Sequence, residues 1–124
     1  MRTTLAIGVA GALGAVSRHQ LESFVNRLWG DVFPWGTFAV NVSGSFALGV
    51  LVGVFARRLG VPLWLQAGAT VGFLGAYTTF STVSLQVYRS ESTGHVLVGL
   101  ANAAGSMLAG ALAVYAGILL VRTI

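Results

Sequence analysis

The chain has 124 residues, of which 56% are hydrophobic and 8% charged, and seven arginines against three acids give a net charge of +4. Soluble domains carry about 25% charged residues, so this composition excludes a water-soluble globular protein, and its hydrophobicity excludes a disordered chain. The lack of cysteine excludes disulfides and thiolate metal sites, and the arginines are too scattered for a nucleic-acid-binding surface. We therefore predict one all-α integral membrane domain, residues 1–124. We expect it to lie in the lipid bilayer and to bind no nucleic acid.

Uncharged runs between the charged residues predict four transmembrane helices. A helix needs about 20 apolar residues to cross a hydrocarbon core roughly 30 Å thick. The runs 32–56, 59–88 and 92–121 are long enough, and helical periodicity extends the run 3–17 to about Phe24. The predicted helices lie near 3–25, 34–56, 62–88 and 95–121.

The first predicted helix has one alternative interpretation. Residues 1–17 could be a signal peptide, since Gly14 and Ala15 resemble a small-residue cleavage site. Against this, only Arg2 precedes the apolar run, and the helical pattern continues past Ala15. Arg18 and Glu22 are four residues apart, so they share one helical face and can pair near the membrane interface.

The predicted connections are short and carry turn residues. A short turn with aromatic residues at the membrane interface is predicted before the second helix. It comprises residues 29–31, which end at Asp31, and 33–36. Pro62 suits the first turn of the third helix, and 89–94 form a polar third loop. Four arginines lie on the side of the termini and two or three on the other, so the topology bias is weak.

Small residues recur at four-residue spacing in the predicted helices, where they let helices approach closely in lipid. They are Ser45, Gly49 and Gly53 in the second helix, Gly68, Gly72 and Ala76 in the third, and Gly105, Ala109, Ala113 and Gly117 in the fourth. Packing within one chain is one explanation. A four-helix monomer has little interior for its polar groups as well, so the pattern favours an oligomer.

Polar residues align on two of the predicted helices. Thr37, Asn41 and Ser45 share one face of the second helix, and Asn102 and Ser106 are four apart in the fourth. An asparagine amide left against lipid costs several kcal/mol, so each asparagine needs a partner. Either they form hydrogen bonds between helices, or they line a polar track through the bilayer.

The third predicted helix contains glycine and consecutive β-branched threonines near mid-membrane, at residues 72–84. This composition is poor for a helix and favours a local break over a continuous helix. Carbonyl oxygens freed at mid-membrane need a partner, and such backbone usually lines a cavity or binds an ion. Because the track lacks charged residues and offers hydroxyls, amides and aromatic edges, it suits a small anion.

Three motifs resemble the CrcB/Fluc fluoride channel family, and the resemblance covers essentially the whole chain. They are residues 11–18 in the first helix, 36–44 opening the second and 72–82 in the third. The Thr-Thr-Phe-Ser-Thr element, 78–82, in its glycine context is the most specific of them.

The resemblance implies a four-helix subunit, broken in its third helix, that forms an antiparallel, dual-topology dimer in the bacterial inner membrane. Such a dimer exports fluoride passively and confers fluoride resistance. By motif position, the resemblance assigns to the fluoride pore the residues Arg18, Asn41, Phe80, Ser81, Thr82, Asn102 and Ser106. It also implies a structural sodium ion at the dimer centre, bound by the main-chain carbonyls of Gly75 and Thr78 from each subunit.

Two positions depart from the family pattern. Val83 stands where the family usually repeats phenylalanine, and Val98 stands where the fourth helix often carries tyrosine. Because paired subunits of the family can share the pore residues between them, the chain is either half of a heterodimer or a homodimer with weakened phenylalanine sites.

The main rival class is the small multidrug-resistance transporter, a proton/drug antiporter of similar length and helix number. That mechanism needs a membrane-embedded glutamate, whereas Glu22 is expected near the interface beside Arg18. A purely structural or pore-forming peptide is the second rival, and it would not need a break in the third helix. The sequence contains no nucleophile–base pair or metal-ligand set, so we expect that the protein is not an enzyme.

Overall fold

The computed structural model describes residues 1–30 and 32–124, and every regular element in these ranges is helical. The all-α prediction is therefore confirmed for the described part of the chain. The elements are α1 (Arg2–Trp29), α2 (Trp35–Arg57), α3 (Leu63–Ala67), the π-helical segment π1 (Gly68–Leu74), α4 (Gly75–Tyr77), α5 (Phe80–Ser92) and α6 (Val96–Thr123). Asp31, in the predicted first turn, lies outside the described residues.

The three connections contain glycines whose backbone conformation disfavours other residues. Gly30, Gly60 and Gly94 have φ values of 79°, 90° and 78°, and each lies between two helices. Pro34 and Pro62 immediately precede the first residues of α2 and α3. These residues end the preceding helix and fix the start of the next one, which explains why helix bounds follow turn residues in this sequence.

Two of the helices in the described ranges are long and apolar enough to cross a membrane, namely α2 and α6. The chain also exposes many large apolar side chains. On α1, Leu5, Val9 and Leu13 are each at least 60% exposed and lie on one side at four-residue spacing. Soluble monomers rarely expose such continuous apolar surface, so these helices indicate a membrane protein. The four predicted crossings stay a prediction.

The segment 63–92 is not one regular α-helix. At the end of π1, the N–H of Gly75 donates to the carbonyl of Thr70, five residues earlier, which is the hydrogen bond of a π-helix. It also donates to the carbonyl of Gly72. After α4, Thr78 and Thr79 have extended backbone, with ψ values of 156° and 121°, and α5 begins at Phe80. The π-helical segment was not predicted. Such segments are rare and frequently lie at functional sites.

Glycines bring the helices of one chain into direct backbone contact. A methyl group at Gly49 of α2 would overlap the Val114 carbonyl of α6, and one at Gly14 of α1 would overlap the Phe73 carbonyl of π1. Gly117 of α6 and Gly72 of π1 make the reciprocal approaches to α2 and α1. Packing within one chain therefore accounts for part of the small-residue stripes, and those glycines do not by themselves indicate an oligomer.

Aromatic side chains cluster at the connection between α1 and α2. The ring centroids of Trp29 and Trp35 are 5.3 Å apart, and Phe33 lies 4.5 Å from Trp35 and 6.0 Å from Phe38. Nearby, the Gly36 N–H donates to Asn26 Oδ1 at 2.9 Å, which satisfies one of the free N–H groups at the start of α2. The aromatic cluster and this hydrogen bond together connect the end of α1 to the start of α2.

Candidate functional site

Asn41 of α2 forms two hydrogen bonds with the backbone of Thr79. Its Oδ1 accepts from the Thr79 N–H at 2.8 Å, and its Nδ2 donates to the Thr79 carbonyl at 3.1 Å. A primary amide can satisfy both polar groups of one extended residue in this way. Asn41 therefore holds Thr79 in its extended conformation and fixes where α5 begins against α2.

The side chain of Thr79 caps α5. Its Oγ1 accepts from the Thr82 N–H at 3.2 Å and donates to Thr82 Oγ1 at 3.0 Å. Ser81 Oγ lies 3.4 Å from the same oxygen. A threonine cap satisfies an N–H group that the helix itself leaves free. The threonines that make this segment poor for a continuous helix thus make it good for starting a new one.

The same bonds divert the donors that a continuous helix would give to two carbonyls. The N–H four residues after Gly75 belongs to Thr79 and bonds Asn41 instead. The N–H four residues after Thr78 belongs to Thr82 and bonds the Thr79 side chain. The carbonyls of Gly75 and Thr78, the two predicted as sodium ligands, therefore lack their ordinary helical donors.

A cavity of about 340 Å³ lies beside this extended segment, between α2, α5 and α6. Its polar groups come from α2, from the extended residues Thr78 and Thr79 and from α6, and the side chains that line it include no titratable one. The lining residues are Asn41, Ser45, Thr78, Thr79, Phe80, Val83, Ala103, Ser106, Met107, Gly110, Ala111 and Val114. We call it the central cavity. It offers amide, hydroxyl and aromatic side chains to a bound species.

A chain of side-chain hydrogen bonds lies next to the central cavity and links α2, α5 and α6. Gln86 Nε2 donates to Thr37 Oγ1 at 2.7 Å, and Gln86 Oε1 accepts from Asn102 Nδ2 at 2.9 Å. Asn102 Oδ1 accepts from Ser106 Oγ at 3.2 Å. Thr37 and Asn102 are 2% and 0% exposed, so these two side chains are shielded from water, whereas Gln86 is half-buried.

A second cavity, of about 750 Å³, lies at the loop end of α5 and α6, and we call it the outer cavity. Arg89 and His95 give it basic side chains, and Gln86 forms part of its wall. Ser106 lines the central cavity, and Asn102 is bonded to both Gln86 and Ser106. The hydrogen-bonded chain therefore lies between the two cavities.

The structure brings some of the predicted pore residues together. Asn41, Phe80 and Ser106 line the central cavity, while Ser81 and Thr82 lie at the start of α5, beside the Thr79 cap. Asn102 is fully buried behind Ser106 and does not line the cavity.

Arg18 of α1 lines neither cavity. Glu22 Oε1 is buried and has no hydrogen-bond partner among the described residues, so Arg18 makes no hydrogen bond to that oxygen.

Two residues of this region were not among the predicted site residues. They are Thr37, which shares a face of α2 with Asn41, and Gln86, a polar side chain inside the predicted third crossing. Its amide alone was a usable signal, since an amide at that depth needs partners. Of the two departures from the family pattern, Val83 lines the central cavity and Val98 the outer one.

The family model described as "CrcB-like protein, Camphor Resistance (CrcB)" matches residues 5–118. A protein of Geotalea uraniireducens named "Fluoride-specific ion channel FluC" is 40% identical over 124 residues, all of both chains. Proteins of the same name from Magnetococcus marinus and Azotobacter vinelandii are 42% and 40% identical, with 95% and 96% of this chain and 96% of each relative covered. The match spans both cavities and nearly the whole fold, and the chain belongs to the CrcB-like family.

Proposed function

We propose that this protein is the subunit of a fluoride-selective channel, and not an enzyme, through which fluoride leaves the cell down its electrochemical gradient. The observation that carries the proposal is the central cavity, whose wall holds one amide and four hydroxyl side chains among apolar ones and no titratable side chain. A channel for a small anion needs donors and no proton exchange, which matches this lining. The full-length relatives named fluoride-specific ion channels support the choice of fluoride.

The cavity residues have distinct parts in this proposal. Asn41 Nδ2 donates one N–H to the Thr79 carbonyl, and its second N–H can bond an anion in the cavity. Phe80 contributes the positive edge of its ring, and Ser106 a hydroxyl. Ser81, Thr82 and Asn102 extend the polar track next to the cavity. Arg18 attracts the anion at the pore entrance, outside the two cavities.

We further propose that two subunits form an antiparallel dimer in the inner membrane, each crossing it four times. Phe80 supports this proposal, because it is 76% exposed in a single chain although it lines the central cavity. A second subunit would cover this ring and complete the wall of the cavity. The dimer consists of two copies of this chain or of this chain and a homologous partner.

A structural sodium ion at the dimer centre fits the chemistry of the residues present. The carbonyls of Gly75 and Thr78 have lost their ordinary helical donors to Asn41 and Thr79. Hard cations prefer oxygen ligands, and two carbonyls from each of two subunits would give four. When bound, the ion would supply positive charge that holds the subunits together, and it would not be transported.

Fluoride efflux from liposomes that contain only this chain tests the function. We expect fluoride to leave and chloride to stay behind, without any change in the pH of the interior. Equal fluxes of the two anions would overturn the proposal. A chain that is inert alone and active with a second homologue would show that the channel is a heterodimer.

A further inference from the structure

The hydrogen bonds from Ser106 to Thr37 all run in the same direction. Ser106 donates to Asn102, Asn102 donates to Gln86, and Gln86 donates to Thr37. Each of the two amides in the middle accepts through its oxygen and donates through its nitrogen. The orientation of one amide therefore sets the orientation of the other.

This direction has a consequence for the central cavity. A serine hydroxyl has one proton, and that of Ser106 points at Asn102 Oδ1. Ser106 therefore presents lone pairs to the central cavity and has no proton left for an anion there. An anion beside it would meet an acceptor, which is repulsive.

Reversal of the whole chain removes this conflict without the loss of a hydrogen bond. If both amides turn over, Thr37 donates to Gln86, Gln86 donates to Asn102 and Asn102 donates to Ser106. The number of bonds is unchanged, because each amide carries an oxygen and a nitrogen at equivalent positions. The Ser106 proton is then free to bond an anion in the central cavity.

We propose that Gln86 is a positioning residue of the anion path, because it sets the direction of this chain and so decides whether Ser106 offers a proton to the anion. The inference rests on the proposed function. Gln86 is the one described residue that bonds both Thr37 on α2 and Asn102 on α6. An anion in the central cavity shifts the chain to its reversed direction by binding the freed hydroxyl.

The substitution Gln86→Glu fixes the direction. A carboxylate only accepts, so both Thr37 and Asn102 must donate to it. Asn102 Oδ1 then stays turned toward Ser106, and the Ser106 proton stays committed. The substitution Gln86→Met removes both bonds without adding charge, so Asn102 is free to take either orientation.

The test is an NMR measurement on the full chain with 15N-labelled side-chain amides. The sequence has only three asparagines and three glutamines, so the Asn102 signal can be assigned by comparison with an Asn102→Leu sample. Without fluoride, we expect contacts from the Asn102 amide protons to the γ-protons of Gln86. With saturating fluoride, these should be replaced by contacts to the β-protons of Ser106, and chloride should cause no change.

The variants give further outcomes. In Gln86→Glu the contacts should stay with residue 86 at every fluoride concentration, and fluoride efflux should fall by about tenfold, as for one lost hydrogen bond to an anion. In Gln86→Met both sets of contacts should appear without fluoride, and efflux should stay closer to that of the wild type. Gln20→Glu adds the same charge at an exposed position on α1 and should leave efflux unchanged.

Failure of this inference and failure of the proposed function give different results. If the wild-type protein conducts fluoride while the Asn102 contacts are the same with and without fluoride, Gln86 only holds the helices together and the inference is wrong. If the wild-type protein does not conduct fluoride in any pairing, the proposed function is wrong. Unchanged efflux in Gln86→Glu would also overturn the inference.

Discussion

Replacing Asn41 with aspartate puts a negative charge into the wall of the central cavity. At an effective dielectric constant of about 20, two unit charges about 4 Å apart repel by about 4 kcal/mol, which corresponds to about a thousandfold in anion occupancy. We therefore expect fluoride efflux from liposomes to fall by about three orders of magnitude in Asn41→Asp.

The same substitution also changes a contact of the fold. Asn41 Nδ2 donates to the Thr79 carbonyl at 3.1 Å, and a carboxylate cannot make this bond. A buried carbonyl without its partner costs about 1–3 kcal/mol, so the thermal unfolding temperature should also fall. The effect of the charge must therefore be separated from the effect of the lost bond.

Two further variants make this separation. Asn41→Leu removes both bonds to Thr79 without adding charge. It should lower the thermal unfolding temperature, and its fluoride efflux should fall less than that of Asn41→Asp. Ser43→Asp adds the same charge on α2 at an exposed position that does not line the central cavity, and it should conduct nearly as the wild type does. Undiminished fluoride efflux in Asn41→Asp would show that Asn41 matters only for packing, and the electrostatic reasoning would fail.

Two other substitutions test the cap of α5 and the role of Glu22. Thr79→Val removes the acceptor of the Thr82 N–H and should lower the free energy of unfolding by about 1 kcal/mol, whereas Thr79→Ser should not; equal losses in thermal melts would contradict the capping role. Glu22→Gln should leave fluoride efflux unchanged, because Glu22 lines neither cavity; a loss of efflux in this variant would show that Glu22 contributes to the anion path.

Helix bounds follow from the sequence because local residues determine them. The prediction for the second helix was 34–56, and α2 runs over Trp35–Arg57, between Pro34 and the loop that contains Gly60. The prediction for the fourth was 95–121, and α6 runs over Val96–Thr123, directly after Gly94 and His95. Proline, positive-φ glycine and charged residues act within a few positions of themselves, so a single sequence contains this information.

The partners of polar side chains do not follow from the sequence in the same way. Asn41 and Asn102 have the same side chain and were predicted to line one track. In the structure Asn41 lines the central cavity and Asn102 is fully buried between Gln86 and Ser106. Which of the two contacts a cavity depends on the rotation of α2 and α6 against α5, and hence on tertiary packing. The π1 segment is also packed by its glycines directly against α1, a contact between distant residues that the local sequence pattern does not contain.

The sodium proposal can be tested at a position where a single chain tolerates a larger side chain. Gly75 is exposed, and a Cβ atom added there would meet only the Thr70 carbonyl oxygen at 3.7 Å, an ordinary contact. Gly75→Val should therefore fold as a monomer, and any loss of assembly must come from a second subunit. We expect this variant to be monomeric by light scattering in detergent and insensitive to sodium, because the two subunits can no longer approach closely. Gly8→Val is the matched control, since a Cβ at Gly8 has nothing within 4 Å. Thr78→Ser should assemble and respond to sodium like the wild type, because it keeps both the carbonyl and a hydroxyl in place of the one that bonds Leu74. A Gly75→Val protein that still forms a sodium-stabilised dimer would exclude the ion from this position.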